Sequence, residues 1–317
     1  MGKQIKTGKY TYSAGILAML CIGCLILFYT CGKAGADVKE NLSGQKLKRA
    51  EEIMLLYPDS ALFILQQIDT LHLCSREEKA LYSLLYSQAL DKNYIDIASD
   101  SIIRNAVKYY AINKDFPRMA QAFYYSGIVN YNAGLIGKAV KEFIKAKEAY
   151  QECSTNYYTG GQINNTLGML YFKQKLYKEA IELYKESARC FEAMHDKEKQ
   201  ANALSYIAKC HYLAGDDSLA VKYHNMAIEL YTCTGNNYKI LLNKSCIADI
   251  FTNRGETDKA VELLQDANRL YCNDTIPLRN YPLWSRIYLK KGNLPLARKY
   301  ATKFIELQSC INSTTLA

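Results

Sequence analysis

The chain is 317 residues long and carries a formal net charge of +9, from 40 basic and 31 acidic residues. Acidic and basic side chains are interspersed, as in 138–148, which is typical of solvated helix faces and not of the basic stripes that bind nucleic acid. Beyond residue 31 the cysteines are scattered singly, without metal-ligand spacing, and are expected to behave as small hydrophobic residues. No HExxH, GxSxG or P-loop pattern occurs, so we expect no enzymatic activity, cofactor, metal or nucleic acid.

The first 31 residues have the layout of an export signal. Three lysines within the first nine residues precede an apolar run at 14–29, and Cys31 follows shortly after it. This arrangement resembles a bacterial lipoprotein signal, in which Cys31 becomes the lipidated first residue, although bulky side chains at 28–30 depart from that pattern. An uncleaved membrane anchor is the alternative, and either one predicts a chain in the cell envelope that faces the periplasm or the cell surface. The polar segment 32–45 suits a tether.

Beyond the tether, small and aromatic residues recur with a period of 40 or 41. Four alanines mark the period: Ala139, Ala180, Ala220 and Ala260. Each lies 12 residues after a small residue and 11 residues before an aromatic one. Within each copy, spacings of three and four place the apolar residues on one face of a helix. Such a long period with a fixed register predicts stacked helical hairpins, and we predict no strands.

The segment 161–194 carries the pattern most fully, with Gly168 in its first half and Ala180 in its second. It is similar to the tetratricopeptide repeat, whose first helix has a small residue at position 8 and whose second has alanine at position 20. The register recurs in further segments: 120–153, 201–234, 241–274, weaker copies at 80–113 and 278–311, and a degenerate hairpin at about 45–72. The resemblance implies an all-α, right-handed superhelical solenoid over 46–311, with a tail at 312–317. The chain as a whole resembles envelope-anchored repeat proteins of Bacteroidetes.

Glycine falls at position 15 in four copies, where a left-handed residue should end the first helix. These residues are Gly134, Gly215, Gly255 and Gly292. Lys175 is the exception, in the copy that otherwise matches best.

In this family, positions 2, 5, 9, 12 and 13 of the first helices line a concave groove. Carrying these positions over, the resemblance implies a partner-binding groove of ten residues: Tyr124, Ile128, Tyr131, Asn132, Asn165, Met169, Phe172, Lys173, Lys209 and Tyr212. An aromatic and thioether strip with amide edges suits an extended or helical protein segment with apolar anchors. No copy has the Lys and Asn pair of the family's chaperone-tail clamp, so a C-terminal carboxylate is not the expected ligand.

His211 and His224 are the residues that most resemble part of a metal site, since the resemblance places them opposite each other across one hairpin. A metal needs three or four converging ligands, and we therefore expect a satisfied histidine pair instead. Taken together, the sequence predicts a non-enzymatic scaffold that binds a protein or peptide partner. A sensor or regulatory input module and a glycan-binding lipoprotein stay open as alternatives.

Overall fold

Residues 42–73, 75–272 and 276–314 are described by the structure, a computed structural model of the chain. Fourteen α-helices dominate this part of the chain, and it contains no strand. In chain order they are α1 (42–53), α2 (Pro58–Gln66), α3 (Arg76–Lys92), α4 (Arg104–Asn113), α5 (Phe116–Asn132), α6 (Ile136–Cys153), α7 (Tyr157–Lys173), α8 (Tyr177–Ala193), α9 (Lys197–Leu213), α10 (Asp217–Thr234), α11 (Asn237–Asn253), α12 (Thr257–Cys272), α13 (Tyr281–Lys290) and α14 (Leu294–Thr314). The predicted export signal, with Cys31, and the predicted tether as far as residue 41 lie outside the described residues. The chain divides into two compact units, Met1–Ala139 and Val140–Ala317.

In the first unit, α1, α2 and α3 share one core. It consists of the apolar stripes of the three helices and the turn that follows α2: Leu47, Ala50, Met54, Ala61, Leu62, Leu65, Ile68, Leu73, Leu85, Ala89 and Leu90. The α1 helix already covers 42–45, which the sequence assigns to the tether, because Ser43 is buried one turn ahead of Leu47. The side-chain amide of Asn93 donates to the carbonyl of Pro58 at 2.9 Å and ties the first hairpin to the end of α3.

The weak copy at 80–113 differs from the prediction in its second helix. The α4 helix begins only at Arg104, so Ser99, which the register places inside that helix, lies in the exposed connection before it. Serine lacks the apolar surface that holds alanine at this position in the other copies, and its hydroxyl is hydrogen-bonded within the connection. Ala106 and Tyr110, which continue the same pattern, are buried as expected.

The second unit consists of successive helical hairpins. The α7 helix packs on α8, α9 packs on both α8 and α10, α11 packs on both α10 and α12, and α13 packs on α14. Direct contact between α11 and α13 makes the first helices of adjacent hairpins neighbours. The predicted alanines Ala180, Ala220 and Ala260 are fully buried, because a small residue at this place lets the paired helices approach closely.

Small residues in α7 are needed where aromatic rings cross it. A Cβ atom added at Gly161 would lie 2.7 Å from the ring of Phe191, and one added at Gly168 would lie 3.0 Å from the ring of Tyr184. Both rings are almost fully buried. The regular spacing between small and aromatic residues in the sequence therefore results from contacts between consecutive helices.

Each predicted turn glycine adopts the left-handed conformation. The φ angles are +74° at Gly134, +87° at Gly215, +83° at Gly255 and +72° at Gly292. Lys175 occupies the same place in its copy and adopts the same conformation, with φ of +62°. The turn geometry thus belongs to the repeat, and lysine accepts it in one copy in spite of its Cβ.

A second periodic signal lies at the start of the first helices. From α5 to α11, every first helix is preceded by an aspartate or asparagine whose side chain accepts a hydrogen bond from the backbone N–H three residues later, at 3.0 to 3.2 Å. These caps are Asp115, Asn156, Asp196 and Asn236. They recur with the same period as the alanines and fix where each first helix begins.

Candidate functional site

In the first unit, the predicted groove residues lie on α5, and one of the four is a core residue. Tyr124 is buried, with its ring edge-on to that of Tyr125 at 5.1 Å between centroids. This packing leaves little of the Tyr124 side chain exposed, and its place in a partner-binding groove stays a prediction. Ile128 and Tyr131 are half-buried and Asn132 is exposed, so these three contribute to the surface of the unit.

In the second unit, α7 carries four predicted residues on an accessible face. Asn165 and Met169 are half-buried, and Lys173 is exposed. Phe172 is half-buried with its ring edge-on to Tyr206 of the next first helix, 6.2 Å between centroids. Phe172 therefore takes part in the packing between hairpins, while Phe172 and Met169 both keep part of their side chains accessible.

The accessible face of the second unit deepens into a pocket of about 370 Å³. Three consecutive first helices, α9, α11 and α13, form its walls together with the 3-10 turn Leu278–Asn280 and one side chain of α10. The lining residues are Lys209, Tyr212, His224, Ser245, Cys246, Asp249, Ile250, Arg279, Asn280, Pro282, Leu283 and Arg286. A smaller adjoining cavity of about 80 Å³ shares four of them, namely Lys209, His224, Cys246 and Arg279. Of the ten predicted groove residues, Lys209 and Tyr212 lie in this pocket.

One wall of the pocket is a hydrogen-bonded network across three hairpins. The Tyr212 hydroxyl donates to a carboxylate oxygen of Asp249 at 3.1 Å and accepts from the side-chain amide of Asn253 at 2.7 Å. Asp249 also forms an ion pair with Arg286. These contacts fix the Tyr212 ring and satisfy the only carboxylate among the lining residues.

The adjoining smaller cavity is lined by a buried polar group centred on Asn243. Its side-chain oxygen lies 2.7 Å from Nδ1 of His224 and 2.9 Å from the hydroxyl of Ser205. Because that oxygen only accepts, Nδ1 of His224 carries the proton. Burial lowers the pKa of His224 to about 4, against the opposing effect of the Asn243 hydrogen bond, and the positive charge of Lys209 lowers it further. His224 is therefore neutral at pH 7.

The two histidines, His211 and His224, each interact with a different residue and do not form the pair that the sequence suggests. His211 stacks on Tyr223, with 5.4 Å between centroids and 6° between ring planes, while His224 is hydrogen-bonded to Asn243. Within the described ranges, no group of three His, Cys, Asp or Glu residues could hold a metal ion.

The mouth of the pocket has positive charge without a matching carboxylate. Lys209 lies 4.7 Å above the ring of Tyr206, and neither Lys209 nor Arg279 forms an ion pair with any acidic residue that the structure describes. Burial raises the pKa of the Cys246 thiol, although Lys209 and Arg279 both act to lower it. The side-chain nitrogen of Asn280 is buried and has no hydrogen-bond partner within the described part of the chain. Such an arrangement presents donors and positive charge to a ligand.

The residues that sequence reasoning missed come from the last, weak copy. Arg279 and Arg286 occupy positions 2 and 9 of the segment 278–311, which are the positions that predict groove residues in the stronger copies. Applying the same rule to this copy would have named both arginines. Asn280 carries no comparable signal, because it occupies position 3 of this segment, which is not a groove position.

Other predictions concern cysteines and the membrane. Cys190 and Cys210 are buried as small hydrophobic residues, whereas Cys233 is an exposed free thiol. None of the described helices is long and apolar enough to cross a membrane. Lipidation of Cys31 stays a prediction.

Comparison with known proteins supports the repeat assignment. The family model described as tetratricopeptide repeat matches residues 161–232. No curated protein matches the chain in sequence.

Three solved structures show the fold. The apo form of the quorum sensor NprR from B. thuringiensis is 16% identical, with a TM-score of 0.63, and the match covers 85% of this chain and 76% of that one. NprR in complex with its cognate peptide NprX is also 16% identical, with a TM-score of 0.55 and coverage of 83% and 77%. A signal transduction ATPase with a tetratricopeptide repeat sensor, from Pyrococcus horikoshii, is 14% identical, with a TM-score of 0.60 and coverage of 86% and 41%. Residues 161–232 are therefore tetratricopeptide repeats, within a chain whose described helices have the tetratricopeptide-type solenoid fold.

Proposed function

We propose that the chain is a non-enzymatic scaffold that binds a segment of a protein partner on the surface of its first helices. The observation that carries this proposal is the pocket of about 370 Å³ formed by α9, α11 and α13, because three consecutive hairpins contribute to it. A pocket built across repeats is continuous with the accessible face of each repeat, which suits a ligand that runs from one repeat to the next.

The chemistry of the second unit's surface supports a peptide ligand. Met169 and the edge of Phe172 offer apolar contacts on α7, while Lys209 and Tyr212 offer polar ones on α9. Flexible thioether and aromatic side chains next to a few fixed polar groups are typical of surfaces that bind short segments. Burial of one or two apolar anchors would supply most of the affinity.

The fold is also known to bind peptides. NprR, which has the same fold, has been solved in complex with its cognate peptide NprX. At 16% identity this likeness supports the kind of ligand and carries no information on its sequence.

We further propose that the scaffold is anchored in the bacterial envelope and faces the periplasm or the cell surface. The support is the basic start, the apolar run at 14–29 and Cys31. The mass of the mature N-terminal peptide from host membranes tests the anchor. A lipidated Cys31 supports a lipoprotein, an intact Met1 supports an uncleaved helix, and a chain recovered unlipidated in the cytosol would refute both.

The binding proposal is tested with the full-length chain on a spot array of dodecapeptides of defined sequence, followed by affinity measurement on retained peptides. Met169→Ala with Lys173→Ala should weaken binding about tenfold, since truncating an anchor residue of an interface costs more than about 1 kcal/mol. Met226→Ala with Lys222→Ala is the matched control, with the same residue types and spacing on the exposed face of α10. Equal affinities for both double variants, or no retained peptide, would contradict the proposal.

A sensor or regulatory input module is the second candidate function. The quorum sensor NprR and the repeat sensor of the Pyrococcus horikoshii ATPase both have this fold. A sensor must respond to its ligand, so a retained peptide should change amide hydrogen exchange in hairpins that it does not touch. Protection confined to the binding surface would favour the scaffold.

A further inference from the structure

The pocket between α9, α11 and α13 has an unbalanced charge. Three cationic side chains line it, Lys209, Arg279 and Arg286, against one carboxylate, that of Asp249. Arg286 and the hydroxyl of Tyr212 already engage Asp249. Lys209 on α9 and Arg279 in the 3-10 turn are therefore left without a described carboxylate partner, and both also line the smaller adjoining cavity.

The remaining lining groups do not supply the missing negative charge. The Cys246 thiol is protonated at neutral pH because burial raises its pKa, and His224 is neutral, with its Nδ1 hydrogen donated to Asn243. Their neutrality leaves the two cations as the dominant charges at the mouth.

The pocket also has a donor without an acceptor. The side-chain nitrogen of Asn280 is buried, the residue is 2% exposed, and this nitrogen has no hydrogen-bond partner among the residues that the structure describes. Asn280 follows Arg279 directly in the 3-10 turn, so this donor belongs to the same side of the pocket as the second cation. Leaving a buried donor unsatisfied costs free energy that a ligand oxygen can recover.

We propose that this pocket is an anion site that binds the carboxylate of an aspartate or glutamate side chain in an extended partner segment, with Lys209 and Arg279 as its charged contacts. The inference rests on the proposed function and adds the chemistry of the ligand. Charge complementarity carries it: a carboxylate is the group that pairs with both cations and accepts from the neighbouring amide donor. The fixed ring of Tyr212, on the other side of the pocket, limits where the segment can lie.

The experiment uses the full-length chain and the same array, with each dodecapeptide printed in three versions that carry Glu, Gln or Lys at a central position. Peptides that bind should prefer Glu over Gln by about tenfold, since a hydrogen bond to a charged group contributes more than one to a neutral group. Lys at that position should abolish binding. The preference for Glu should weaken as salt concentration rises.

Two double variants assign the preference to the pocket. The pocket variant, Lys209→Met with Arg279→Met, should lose the discrimination between Glu and Gln. The control variant, Lys222→Met with Arg269→Met, changes the net charge by the same amount on exposed faces of α10 and α12 and should keep the discrimination. Circular dichroism confirms that both variants fold.

Each outcome decides between the claims. Peptides retained with equal affinity in their Glu and Gln versions, or a preference that survives in the pocket variant, would overturn the anion site and leave the binding surface intact. No retained peptide of any version would overturn the binding proposal itself, and the anion site with it.

Discussion

The buried imidazole of His224 makes the stability of the second unit depend on pH. Its side chain is 1% exposed and lies among Asn243, Ser205 and Lys209. Burial lowers its pKa from about 6.5 in the unfolded chain to about 4 in the folded one. Because the unfolded state binds this proton more readily, the contribution of His224 to stability is present above pH 6.5 and is lost as the pH falls toward 4.

The magnitude follows from those two pKa values. Between pH 7 and pH 5 the unfolded chain becomes protonated at this site while most of the folded chain does not, which removes about 2 kcal/mol of unfolding free energy. That is a large share of the stability of an ordinary domain. This loss of stability occurs between pH 7 and pH 5, a pH range in which most carboxylates stay ionised.

Urea unfolding followed by circular dichroism, at pH 7 and at pH 5, measures this loss in wild type and in His224→Gln. Glutamine keeps a donor for Asn243 but does not titrate, so the variant should be less stable at pH 7 and should lose about 2 kcal/mol less on acidification. Parallel losses in the two proteins would refute the assignment. So would an NMR titration of His224 with a pKa near 6.5.

Two further predictions concern packing and charge. Gly161→Ala should destabilise the chain by about 1 to 3 kcal/mol, because the new methyl group would meet the ring of Phe191. Gly137→Ala is the control, since nothing lies within 4 Å of the added atom, and it should be neutral or stabilising in thermal unfolding. Equal effects of the two substitutions would contradict the packing account. Lys209→Met should raise the pKa of the Cys246 thiol further and so slow the alkylation of this thiol by iodoacetamide at pH 8. Mass spectrometry of the peptide that contains Cys246 measures the rate. An unchanged rate would place Lys209 away from this thiol.

The repeat register was predictable because it rests on steric demands that recur. Buried alanines and left-handed turns leave a periodic trace in the sequence, and even Lys175 adopts the turn predicted from its neighbours. The register does not determine how the side chain at a given position is used, because that also depends on the size and polarity of the side chain. Tyr124 sits at a groove position but is buried against Tyr125, and Ser99 does not hold the start of a helix.

The pocket was only half predictable, for a different reason. Lys209 and Tyr212 followed from a strong copy of the repeat, whereas Arg279 and Arg286 belong to a weak copy to which the groove positions were not carried over. The charge imbalance arises from tertiary contacts, since it depends on Asp249 being engaged by Arg286. A linear sequence does not show which of several charges are paired.

Photocrosslinking is the most direct test of the claim that partners bind on the first helices. Benzoylphenylalanine is placed at Met169 on α7 and, in a second variant, at Met226 on α10, and each full-length chain is irradiated with the best-retained array peptide. The account predicts a crosslinked product from the position of Met169 and none from that of Met226. Crosslinking only from Met226, or equally from both positions, would contradict it.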